Sequence, residues 1–113
     1  MTVGIDFYMV DAEGEVTPAE RYVKFEETIH DYLWKNEKRA GETFDLLLDL
    51  DRYGDRLFSR QEINELKNIC EALLEKYEKG AQKEQKIRIF ASELKRLCME
   101  SLEQNQLIMA LGD

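Results

Sequence analysis

Twenty-four carboxylates, one histidine and two cysteines are the side chains of this 113-residue chain best suited to chemistry. The acids suit metal ligation, proton transfer or an anionic docking surface. His30 is the only histidine, with Asp31 and Glu26 close by in sequence. General acid–base work needs such a histidine in a cleft, beside a carboxylate and a substrate. At helical spacing His30 falls next to Ile29 and Leu33. That position suits a structural histidine bonded to backbone or carboxylate. Cys70 and Cys98 lie among helix-patterned residues and read as reduced core or boundary thiols of a cytoplasmic protein. Two cysteines and one histidine do not make a zinc site. No glycine-rich phosphate loop and no nucleophile motif is present. The chain therefore reads as a binding protein and not an enzyme, with no catalytic residue, metal or cofactor to nominate.

The charge has a direction. The formal net charge is −8. Residues 1–55 hold 14 acidic and 6 basic side chains, whereas residues 56–113 hold 10 of each, so the whole excess lies in the first half. Such a surface repels nucleic acid and anionic membrane and attracts a basic protein. Basic residues between 76 and 96 alternate with acids, the pattern of a solvated face and not of a nucleic-acid stripe. Glu42, Asp45, Asp49, Asp51 and Asp55 are the expected partner-binding acids, with Tyr53 as an aromatic anchor. Trp34 reads either as a second anchor or as core.

Residues 51–62 run Asp51-Arg52-Tyr53-Gly54-Asp55-Arg56-Leu57-Phe58-Ser59-Arg60-Gln61-Glu62. The stretch resembles the calcium loop of EF-hand proteins, with Asp51, Asp55, Ser59 and Glu62 at ligand positions and Phe58 at the apolar one. Calcium takes about six to eight oxygen ligands. Here Tyr53 stands where a second carboxylate belongs, and Arg56 stands where a glycine makes the sharp turn. Calcium binding is therefore not expected, and a regulatory module on a degenerate loop is the alternative reading. The Tyr-Gly-Asp turn followed by Phe-Ser-Arg-Gln-Glu also resembles a pattern in small bacterial proteins, some of them similar to immunity proteins of polymorphic toxin systems. The similarity covers this motif, its flanking helices and the stretch from Ile29 to Trp34. It implies a protein that neutralises a cognate toxin domain. As a purely structural turn, the same residues would use Gly54 for a left-handed backbone, Asp55 to bond local amides, Phe58 to plug the core and Ser59 to cap a helix.

The elements that position these residues follow from periodicity. Apolar content of 43% with 35% charged residues and one proline predicts a single folded domain over residues 1–113. The expected class is α+β and mostly helical, with a short N-terminal β-hairpin packed on three to four α-helices. Val3, Ile5, Phe7 and Met9 alternate with polar residues, as in a half-buried strand. A turn at residues 11–14 then leads to a returning strand at Glu15-Val16. Thr17-Pro18-Ala19-Glu20 looks like a helix start; alternatively Tyr22-Val23-Lys24-Phe25 is the second strand and the helix starts near Glu26. Either way the helix runs to about Lys35, and residues 36–41 form a loop. Residues 42–50 suggest a short, deeply buried helix, and residues 52–58 a turn. Ser59 to Glu62 has the capping-box pattern, and the helix behind it buries Ile63, Leu66, Cys70, Leu73, Leu74 and Tyr77 before stopping at Gly80. Residues 82–104 give the clearest amphipathic helix, through Ile87, Phe90, Leu94, Leu97, Cys98 and Leu102. The apolar tail 107–111 either extends that helix or lies as a strand beside the hairpin, the strand being favoured. Residues 1–10 lack the basic start of a signal peptide, and no apolar run is long enough to span a bilayer. A cytoplasmic location is expected.

Overall fold

A computed structural model describes residues 4–11, 22–38, 44–79 and 82–112 of the chain. Its elements in order are β1 (Gly4–Val10), β2 (Tyr22–Glu26), α1 (Glu27–Glu37), α2 (Asp45–Leu48), β3 (Asp55–Phe58), α3 (Arg60–Lys76), α4 (Gln82–Glu103) and β4 (Leu107–Gly112). The fold is α+β and mostly helical. Among the described residues no helix is long and apolar enough to cross a membrane.

The four strands form one antiparallel sheet in the order β2-β1-β4-β3. Alternation along β1 turns Ile5, Phe7 and Met9 inward, where they meet Val23 and Phe25 of β2 and Ile108 and Ala110 of β4. Phe58 joins them from β3, and its ring stacks on Phe7 at 6.2 Å between centroids. From α4, Phe90 stacks on Phe25 at 4.6 Å. These rings tie the sheet to the helices, and α3 and α4 pack side by side through Ile63, Leu66, Cys70, Leu73, Ile87, Leu94, Leu97 and Cys98.

The strand paired with β1 is Tyr22–Glu26. The expected partner at Glu15-Val16 and the helix cap at Thr17 lie outside the described residues. A first helix running through Tyr22 is corrected: this β-branched and aromatic stretch pairs as a strand, burying Val23 and Phe25, and α1 starts only at Glu27. The helix continues through Glu37, two residues past its expected end. The expected turn over residues 52–58 is also corrected in part. Only its first half turns, because Asp55–Phe58 pairs with Ile108, Met109, Ala110 and Leu111 of β4.

Both caps around the longer helices are well formed. Ser59 Oγ accepts from the Glu62 amide while the Glu62 carboxylate accepts from the Ser59 amide, the expected capping box. At the end of α4, Gln106 N donates to Ser101 O and Asn105 N to Leu102 O, the two bonds of a Schellman motif. Asn105 takes the left-handed position with φ 59°. Arg60 of α3 holds that turn by donating to the Asn105 side chain and the Leu102 carbonyl. The tail beyond it is β4, so the apolar 107–111 segment is a strand, inserted between β1 and β3.

Candidate docking surface

α1 follows directly on the edge strand β2 and packs against α2, which brings residues 30–34 beside residues 48–53. His30, Asp31 and Trp34 of α1 then line one open groove with Leu48, Asp49, Leu50, Asp51, Arg52 and Tyr53. A second hollow adjoins it through Asp49, Leu50 and Asp51, and is completed by Gly54, Asp55, Arg56 and Ala110. Asp31, Asp49, Asp51 and Asp55 are all exposed on this continuous face. Tyr53 is 79% exposed and Trp34 46% exposed, so Trp34 is a surface residue and not core.

Of the acids expected to bind a partner, Asp49, Asp51 and Asp55 come together here with Tyr53. Asp45 stands at the edge, tied to Asp49 through Lys38, whose Nζ lies 3.0 Å from Asp45 Oδ1 and 2.6 Å from Asp49 Oδ1. Glu42 lies outside the described residues. Sequence reasoning left Asp31 out of the set. The signal was present: Asp31 and Trp34 are three residues apart on α1, off the Ile29–Leu33 face, and so share its solvent side.

The turn works differently from the expected one. Gly54 keeps its φ outside the left-handed region. Asp51, not Asp55, bonds a local amide, accepting from Tyr53 N at 2.9 Å. The tight approach is at Gly112 of β4, whose amide donates to Gly54 O at 3.0 Å. A Cβ on Gly112 would collide with the Arg52 and Gly54 carbonyls, so the chain needs glycine there.

Electrostatics divides the face. Glu27, Asp31, Asp45, Asp49, Asp51 and Asp55 are six carboxylates, the two cations bonded among them are Lys38 and Arg52, and Arg56 also lines the second hollow, so these groups leave an excess of three negative charges. Among the described residues no cation lies in ion-pair range of Asp51 or Asp55, and none of the six is paired by α3 or α4. Hydrogen bonds from Lys38 to Asp49 and then Asp45 raise the lysine's pKa, so it stays charged. Lys38 also lies over the Trp34 ring, 5.0 Å from its centroid, showing that this ring accepts a cation.

His30 sits beneath the groove, 4% exposed. Its Nε2 is 2.7 Å from Leu48 O, which can only accept, so Nε2 carries the proton. Nδ1 then accepts from Arg52 Nε at 3.2 Å, and the guanidinium's remaining nitrogens reach Glu27 and Asp31. Burial lowers the histidine's pKa below 6.5, outweighing the Leu48 hydrogen bond. Both ring nitrogens are occupied by the fold.

Glu62, the last ligand position of the EF-hand-like stretch, is committed elsewhere. It accepts from Ser59 N and pairs with Arg56, and these bonds hold its carboxyl below its ordinary value. Among the described residues no group of three or more His, Cys, Asp and Glu is placed to hold a metal ion. Cys70 and Cys98 are buried free thiols, and burial pushes both up, Cys98 to about 12. Comparison with family models, with curated proteins and with solved structures finds no match for the chain.

Proposed function

We propose that the chain is a macromolecule-binding protein of the immunity type. It acts in the cytoplasm by covering a basic toxin domain with its acidic face. The observation that carries the reading is the contiguity of Asp31, Asp49, Asp51 and Asp55 around two exposed aromatic rings, Trp34 and Tyr53. Carboxylates supply long-range attraction, which speeds encounter with a cationic partner. Aromatic rings supply contact area at low entropic cost and offer π faces to lysine and arginine. Leu48 and Leu50, which line the same groove, are buried and leave the two rings as its exposed apolar groups.

The test looks beside the chain's own gene for a large secreted protein whose variable C-terminus is a basic nuclease domain. The chain should bind that domain and protect cells that express it. Association should slow as salt rises, because the exposed acids are screened. A chain that neither binds such a domain nor protects against it would overturn the proposal.

A further inference from the structure

We infer that His30 is a proton-operated latch on the loop that carries the docking face. The inference rests on the docking reading for its use, but its physics is internal to the chain. Neutral His30 has one donor and one acceptor, and both are used: Nε2–H on Leu48 O, and the Nδ1 lone pair on Arg52 Nε–H. Through that second bond the ring fixes a guanidinium whose other nitrogens bridge Glu27 and Asp31 of α1. Arg52 is therefore clamped from three sides, and its neighbours Asp51 and Tyr53 are the exposed acid and ring of the face.

A proton from solvent can bind only at Nδ1. It would place N–H against N–H at 3.2 Å, and positive charge against positive charge. That contact cannot persist, and the Leu48 bond keeps the ring from turning away. The groups facing His30 favour this outcome. β2 offers only the Phe25 ring, 4.7 Å away between centroids. From α2 come the Leu48 carbonyl and the Asp49 carboxylate, from α1 itself Asp31, and from the loop Arg52. Asp31 and Asp49 stabilise the imidazolium, whereas Arg52 opposes it and has Glu27 and Asp31 to hold it once the His30 bond is lost. Arg52 leaves His30, remaining near the exposed Asp31, and the Asp51–Gly54 turn loses its inner anchor. Protonation thus converts an ordered docking face into a loosened one.

The experiment is nuclear magnetic resonance on the isolated, isotope-labelled chain, following the His30 ring nitrogens, the Arg52 Nε–H signal and the Tyr53 and Gly54 amides as pH falls. Circular dichroism establishes the range in which the fold persists. At neutral pH the ring should show the Nε2–H tautomer. As it protonates, the Arg52 Nε–H and both loop amides should move with the same midpoint. In His30→Gln the loop amides should lose that pH response. In Arg52→Met, which keeps His30, the ring's midpoint should shift upward. The inference is overturned if His30 stays neutral until the fold is lost, if Arg52 Nε–H stays still while the ring titrates, or if Arg52→Met leaves the midpoint unchanged. No partner enters these measurements, so their failure leaves the docking reading intact, and failure to dock leaves the latch intact.

Discussion

Lys38 Nζ lies 2.6 Å from Asp49 Oδ1, so the acidic face carries its own counter-ion. The same ammonium bonds Asp45 and covers one side of Trp34. A cationic partner must compete with it for both the carboxylates and the ring. Lys38→Gln should therefore bind a basic domain faster at low salt than the parent chain does, with little change in thermal stability because the pair is partly solvated. Stopped-flow association at several salt concentrations checks this. A slower rate would show that Lys38 organises the face instead of masking it.

Glu37 is a carboxylate buried by the fold. Its side chain is 1% exposed, and Lys76 donates to both carboxylate oxygens, tying the end of α1 to the end of α3. Removing the ammonium strands a buried charge, a loss that outweighs an ordinary surface pair. Lys76 is half exposed, so Lys76→Met should cost about 2 kcal/mol, less than the roughly 3–5 kcal/mol of a fully buried pair. Adding Glu37→Gln should recover part of that loss. Urea midpoints of the three variants measure it, and an unchanged midpoint for Lys76→Met would refute the assignment.

At the α4–β4 junction the backbone dictates the residue. Asn105 has a φ of 59°, and a β-branched side chain there would be strained by about 1–2 kcal/mol. Asn105→Val should lower the thermal midpoint, while Asn105→Gly should keep most of the stability despite losing the Arg60 bond. Calorimetry on the pair of variants distinguishes backbone strain from loss of the side-chain contact. Equal losses in both would point to the contact.

The histidine makes stability fall on the acid side of neutrality. Its pKa is depressed in the folded chain relative to 6.5, so the unfolded chain binds the proton more tightly. The stability it contributes is complete above 6.5 and is lost as pH falls through the folded value. Glu62 is likewise depressed, but from 4.5, so its contribution is lost in a separate, more acid window. Denaturation free energies of the parent should decline as pH drops from 6.5, before Glu62 contributes. In His30→Gln that decline should be flatter. Parallel curves would contradict the histidine's role.

Local signals were legible in the sequence, and non-local ones were not. The Ser59–Glu62 capping box and the amphipathic α4 depend on neighbours within a turn or on one periodicity, and both appear where expected. Tyr22–Glu26 was ambiguous, because Val23 and Phe25 suit a strand while Tyr22, Phe25 and Ile29 suit a helix. Pairing with β1 decides it. Asp55–Phe58 carries no strand pattern of its own, since three of its four residues are exposed; it is extended because β4, more than fifty residues later, supplies the ladder. The site divides the same way. Asp49, Asp51 and Asp55 were visible as concentrated charge. That Asp31 and Trp34 share a solvent face of α1 was also legible from their spacing, but their meeting with residues 48–53 depends on how α1 packs on α2, and the Leu48–His30–Arg52 chain of bonds has no sequence signature.

The most direct measurement is the association rate between the chain and the basic domain, for the parent and for the triple variant Asp49→Lys, Asp51→Lys, Asp55→Lys. These side chains are exposed, so the variant should fold, as circular dichroism can verify. Association of the variant should be slower by on the order of tenfold or more at low salt, with the difference shrinking as salt rises. An equal rate for the folded variant at every salt concentration would contradict the acidic face as the docking surface.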